Sequence, residues 1–309
     1  MKRVNDELSS SLDQSWKNFA GAWKNSRAKA SEKSIHDLRV STRRLIAILE
    51  LAKALSSDNE IARLQRRFKK VLKRMGRLRD TQVLLVNVSR VPRTRLVADF
   101  KKSLIQREKR EIGKIRVKLK SGRKQKLSKA VDDVRSEFGS RQTKLGQQKI
   151  HRSIERVLTS RGNELLKAQR RFHHSQPVNE DLLHEMRIAL KKFRYVVEAA
   201  QPVLGEAAKE RAREMHAFQQ VIGESRDVEM LRTALEKWAT KRGKKIAIVP
   251  ALDRLQHQHD ALTKKVIDSL AGLEQTLTVT LKPAAEKTQA VGVRTTEPPK
   301  VDLKPASSG

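Results

Sequence analysis

SIHDLRVSTRRLIAIL, residues 34–49, decides how the chain is read. On a helix, Ile35, Leu38, Thr42, Leu45 and Leu49 share one stripe at spacings of three and four. His36, Arg39 and Arg43 form a second stripe, with Arg44 beside it. The apolar stripe requires a core and the basic stripe requires an anion. The pattern returns at residues 183–195, LHEMRIALKKFRY, where Leu183, Met186, Leu190 and Phe193 are the apolar seam. His184, Arg187, Lys191 and Arg194 are its basic seam, and His184 lies 148 residues after His36. This spacing indicates an internal duplication.

Composition points to the same kind of partner. Among 309 residues, 68 Lys and Arg face 35 Asp and Glu, a formal charge of +33. A folded body with that excess repels itself, so a polyanion is the economical partner: nucleic acid, an anionic membrane or inorganic polyphosphate. Aromatic residues are only 4%, and Trp16, Phe19, Phe68, Phe193, Phe218 and Trp238 fall at apolar helical positions. Few rings remain to stack on bases, which favours a partner with charge and no bases. The absence of cysteine excludes disulfides, thiolate nucleophiles and cysteine-ligated metals. MKRVNDELSS is not a secretory signal, and no stretch nears the roughly 18 apolar residues of a membrane span. The expectation is a cytoplasmic protein without a membrane partner.

Helical periodicity runs through most of the chain. Leu8, Leu12, Trp16, Phe19 and Trp23 mark a first helix, and residues 34–55 the second. Ser57 and Asp58 read as caps for a third, containing Ile61, Leu64, Phe68, Val71 and Met75 and ending at Gly76. Asp80 is placed to cap a short helix with Val83 and Leu84, closed by Pro92. Residues 114–120 alternate like a strand, but Val97, Phe100, Leu104, Ile112, Ile115 and Leu119 fit one helical seam. Gly122 reads as a stop before a short helix over 131–138. Another helix runs from Ile150 to Phe172, and Pro177 marks the join to the second copy. After the second basic helix, Pro202 and Gly205 make a turn, a helix stops at Gly223, and Asp227 caps the next. The final helix carries Leu252, Leu255, Leu262, Val266 and Leu270; residues 245–249 are the one short strand-like run.

These elements predict an all-α chain of two pseudo-symmetric antiparallel helical bundles. One repeat spans about residues 5–140, the other about 141–275, and each has its own apolar interior and a basic outer seam. Residues 276–309 hold four of the eight prolines and no aromatics, and are expected to be a disordered tail.

The pattern His-x-x-Arg-Val/Ile-x-x-Arg/Lys-Arg/Lys, followed some forty residues later by Gly-x-x-Arg-Asp, resembles the CHAD domain, the conserved histidine α-helical domain. Its residues are His36, Arg39, Val40, Arg43, Arg44, Gly76, Arg79 and Asp80, then His184, Arg187, Ile188, Lys191, Lys192, Gly223, Arg226 and Asp227. The resemblance covers roughly residues 5–275. It implies two pseudo-symmetric bundles enclosing a basic groove or pore that binds inorganic polyphosphate, and a protein located at polyphosphate granules. Some family members carry a tunnel-fold triphosphatase domain marked by E-x-E-x-K; no such triplet occurs here. Lys191 and Lys192 replace the arginine pair, and lysine lacks the planar fork that grips two oxygens.

The residue types suit a phosphate chain. A polymer without bases needs cations at repeating intervals, which positions 36, 39 and 43 supply along one helix face. Arg39, Arg43, Arg187 and Arg194 can donate bidentate, charge-assisted bonds to phosphate oxygens. His36 and His184 are expected to donate to phosphate and to tighten binding between about pH 8 and 6, because an unperturbed imidazole titrates near 6.5. Arg79 and Arg226 are expected to aim at the groove, with Lys69 and Lys73 at its border and His216 a weaker candidate. No nucleotide-binding or hydrolase signature appears, and no histidine pair has ligand spacing. The expectation is therefore a binding module, not an enzyme, without a cofactor or metal site. Nucleic acid, held by its backbone as a weaker polyanion, is the alternative.

Overall fold

The computed structural model describes residues 4–56, 59–119, 121–142, 146–175 and 177–281. They form helices α1 (Val4–Ala28), α2 (Glu32–Leu55), α3 (Asn59–Arg74), α4 (Gly76–Asn87), α5 (Arg95–Lys118), α6 (Ser121–Gln142), α7 (Gln147–His173), α8 (Glu180–Leu204), α9 (Glu206–Thr240) and α10 (Val249–Leu281). Two short 3₁₀ segments, Val88–Arg90 and Ile246–Ile248, join them, and no strand occurs among the described residues. The chain is all-helical, as its periodicity predicts.

Local chemistry sets several starts and stops. Ser31 Oγ accepts the Ser34 amide at 3.2 Å to open α2, and Thr94 Oγ1 accepts that of Val97 at 3.2 Å to open α5. Asn179 Oδ1 accepts from Asp181 and Leu182 at the head of α8. These bonds satisfy amides that have no partner inside the first turn. At the other end of α8, Gly205 adopts φ 75° and ψ −164°, a conformation suited only to glycine. Pro202 lies within the last turn of α8, so the break falls at Gly205 alone.

The glycine and aspartate pairs act differently from expectation. Gly76 opens α4, separated from α3 only by the tightened turn at Met75, and Gly223 lies inside the unbroken α9. Neither ends a helix by adopting positive φ. Asp80 and Asp227 sit within α4 and α9, so neither caps a helix. Gly122 falls in the first turn of α6, which extends well beyond 131–138. The alternating 114–118 segment is helical: Ile115 is buried on the same seam of α5 as Leu104 and Phe100, although it enters a different core from theirs. The apolar run at 246–248 is a 3₁₀ turn. The expected caps Ser57 and Asp58, and the tail from 282 onward, lie outside the described residues. The first residues assigned to the tail are helical: α10 reaches Leu281, with Leu277 fully buried.

The apolar interior does not divide into one core per sequence half. The larger core joins Phe19, Phe68, Ile35 and Leu45 to Leu165, Met186, Phe193 and Met215. Phe19 and Phe68 meet edge to face at 5.1 Å. The smaller core joins Leu84, Val97 and Phe100 to Val228, Leu231, Leu235 and Leu255, and Phe100 meets Trp238 at 5.5 Å. Helix α9 lies in both, through Met215 and Ile222 at one end and Leu231 and Leu235 at the other. Helices α2 and α8 pack on one another, as do α4 and α9, so the two basic stripes belong to neighbouring helices.

Candidate anion-binding site

The apolar stripes fix where the basic ones point. Ile35, Leu38, Leu45 and Leu49 are fully buried on α2, and Met186, Leu190 and Phe193 on α8. Anchoring those faces leaves His36, Arg39, Arg43, His184, Arg187 and Lys191 exposed or only partly buried at the boundary of the core. A cleft of about 450 Å³ opens between α2, α8 and α9, lined by His36, Arg43, Arg44, Lys191 and Arg194 among others. Lys209, Arg213 and His216 of α9 complete its rim.

Burial and mutual repulsion disfavour charge throughout this cluster. Lys191 is pushed down to about 6, first by burial and then by Arg187, Arg43 and Arg39. Burial and Arg43 lower Arg39 to about 10. Arg43 is also lowered by burial, although Tyr195 hydrogen-bonds to it, and Arg187 is lowered by burial despite Asp227. The fields cross between the halves: Arg43 acts on Arg187 and Lys191, and Arg39 on Lys191. Arg79 acts on His36, and Arg226 on His184. Asp80 and Asp227 are the carboxylates that oppose the cluster, and burial raises Asp227 itself even though Arg187, Arg79 and Lys191 surround it.

Two polar atoms in this cluster lack partners: Arg187 Nε, a donor, and His184 Nδ1, whose role depends on the tautomer, are buried and make no hydrogen bond. Buried polar atoms left unpaired cost free energy.

Other residues singled out from sequence take different roles. Arg194 is only 7% exposed; its Nε donates to Gln219 at 3.0 Å, it pairs with Glu198, and it lies 4.4 Å above the Tyr195 ring. Its donors are engaged, so it positions the wall and is not a free phosphate fork. Arg44 pairs with the same Glu198 at 3.4 Å, tying α2 to α8. Arg39 Nη1 donates to the Leu72 carbonyl at 3.1 Å, and Arg79 pairs with Glu32. Lys69, Lys73 and Lys192 are exposed and do not line the cleft.

The imidazoles differ from expectation in their titration. Burial and neighbouring arginines lower His36, His184 and His216, so all three are biased toward neutrality in the free protein. Sequence reading missed Tyr195, Glu198 and Gln219, whose roles depend on contacts between helices. It also missed Lys209 and Arg213, although their spacing with His216 places all three on one helical stripe.

Cations gathered at a half-buried cleft and short of counter-charge set the chemistry of this face: an arriving anion would relieve repulsion and desolvation together. The chain belongs to the CHAD domain family, whose model matches residues 10–236. That family is linked in general to polyphosphate binding. The crystal structure of the CHAD domain from the plant Ricinus communis is similar, with a TM-score of 0.66 and 16% identity, covering 89% of this chain and 92% of that one. This likeness shows the fold alone. A search of curated proteins finds no match. Among the described residues, no helix is long and apolar enough to cross a membrane, and no group of three His, Asp or Glu could hold a metal ion.

Proposed function

We propose that this protein binds inorganic polyphosphate along the basic face shared by α2 and α8, flanked by α4 and α9. The observation that carries the reading is the mutual charge suppression of Arg39, Arg43, Arg187 and Lys191, which draws on both halves of the chain. Four cations held at such cost suit a ligand with a charge on every repeat unit.

The facing of the two stripes also supports descent from a duplicated unit, with α3 and α4 together standing opposite the single α9. The activity is binding, without turnover, and recruitment to polyphosphate granules is its cellular counterpart. The test is a salt-dependent titration with long-chain polyphosphate, comparing wild type with Arg39→Ala/Arg187→Ala. Binding by counterion release weakens steeply with salt, and the variant should show both lower affinity and a shallower slope. An unchanged slope would remove these residues from the site. Competition addresses nucleic acid: polyphosphate should displace duplex DNA at much lower phosphate concentration than the reverse.

A further inference from the structure

A second basic concavity lies on helices that contribute nothing to the cleft just described. It occupies about 570 Å³ between α3 and α6, with Trp23 of α1 in its wall. Arg67, Lys70 and Arg74 stand along one side, spaced three and four residues apart on α3. Arg123, Lys126 and Lys129 stand along the other, spaced three apart on α6. Val71, Leu127 and Ala130 lie between the two rows, and Asp133 is the sole acid in the lining.

We infer that this trough is a second phosphate-chain site, independent of the α2–α8 cleft, so that one molecule can hold two chains or two segments of one. The ligand's identity rests on the function proposed above; the existence of the site does not. Its first support is the convergence of six cations on one concavity against a single acid. None of the six trough cations has an ion pair among the described residues; Arg123 donates only to the Lys118 carbonyl, at 3.1 Å.

The α3 row instead places like charges at three and four residues, an arrangement that destabilises a helix unless an anion lies across it. Trp23 supplies an independent sign. It is 3% exposed, and its Nε1–H is buried without a hydrogen-bond partner beside the trough. Two cationic rows with apolar residues among them suit an extended chain of negative charges. The two concavities share no residue and no helix, so occupancy of one leaves the other open. Bivalence of this kind links polymer chains through effective concentration alone.

The experiment is calorimetric stoichiometry with short-chain polyphosphate, paired with light scattering on long chains. Lys70→Gln/Arg74→Gln/Lys126→Gln neutralises the trough at exposed positions with a good helix former, and helicity and melting temperature verify folding. Lys70→Gln alone serves as the milder variant. Wild type should bind two equivalents of short chain and scatter strongly with long chains. The triple variant should bind one equivalent and lose the scattering. A wild type that binds one equivalent, unchanged in the triple variant, overturns the second site and leaves the cleft reading intact. If Arg39→Ala/Arg187→Ala loses nothing while the triple variant loses all binding, the cleft reading fails and the trough stands. Displacement of the trough-bound chain by duplex DNA at lower phosphate concentration overturns the ligand class.

Discussion

Under the proposed function, Lys191 makes polyphosphate binding a proton-coupled event. In the free protein its ammonium is pushed from 10.5 to about 6 by burial and by Arg187, Arg43 and Arg39. That change corresponds to an upper bound of about 6 kcal/mol against the charged form. A polyanion in the cleft supplies the missing counter-charge and restores the ordinary preference for the ammonium. The complex therefore holds one more proton than the free protein above about pH 6, and affinity rises as pH falls. With a free value of about 6 and the ordinary lysine value of 10.5 restored in the complex, linkage gives about a 50-fold gain in affinity from pH 8 to 6. About ninefold of this lies between pH 8 and 7, and the curve flattens below pH 6.

Titration at constant ionic strength measures the slope, and calorimetry in buffers of different ionisation enthalpy measures the proton directly. Near pH 7.5, uptake should approach one proton per cleft in wild type and vanish in Lys191→Met. Histidine is the competing source: His36, His184 and His216 are each lowered in the free protein, and an imidazole restored by the ligand to its ordinary value near 6.5 would take up only about 0.1 proton at pH 7.5. His36→Ala/His184→Ala should therefore keep most of the slope between pH 8 and 7. No proton uptake in wild type, or full uptake in Lys191→Met, would refute the assignment.

The same lysine should govern the stability of the ligand-free protein. Its folded value lies below its unfolded one, so the unfolded chain binds more protons between about pH 6 and 10.5, and stability rises with pH there by up to about 1.4 kcal/mol per pH unit. Urea unfolding of wild type and Lys191→Met at pH 7 and 9 should show the variant gaining most at pH 7. His259 has the opposite sign: its hydrogen bond to Glu180, at 3.0 Å, raises it above 6.5. That contribution is complete below pH 6.5 and is lost as pH rises through the folded value, so His259→Gln should cost about 1–2 kcal/mol at pH 6 and less at pH 9. Gly205→Ala forces a side chain onto φ 75° and should cost about 1–3 kcal/mol by thermal melting.

The helices were legible because their apolar spacing and their burial follow from one face. Ile35, Leu38, Leu45 and Leu49, or Met186, Leu190 and Phe193, could serve no surface role at that period. The turns were less legible. Gly76 and Asp80 make a plausible stop and cap in sequence, yet Met75 takes the break and α9 runs through the equivalent Gly223. Helix propensity at those positions is outweighed by packing on both sides, which sequence spacing does not report. The basic stripes were legible as charge, but the use of each charge was not. Arg43 and Arg194 look alike in sequence; Arg43 lines the cleft with Tyr195 as its hydrogen-bond partner, and Arg194 is tied to Glu198 and Gln219. Counter-charges from other helices decide such roles, and those helices are distant in the chain.

The lysine at position 191, where the first stripe carries Arg43, acquires a physical sense from this geometry. Arginine would stay charged at every accessible pH, so a guanidinium there would add its repulsion to Arg39, Arg43 and Arg187 whether or not a ligand were present. Lysine can discard its proton in the empty cleft and recover it when phosphate arrives. The loss of a bidentate fork is thereby exchanged for a lower cost of keeping the cleft open and unfilled. The site so proposed is a set of permanent cations around one conditional cation, and the conditional one is the group whose protonation follows the ligand above pH 7.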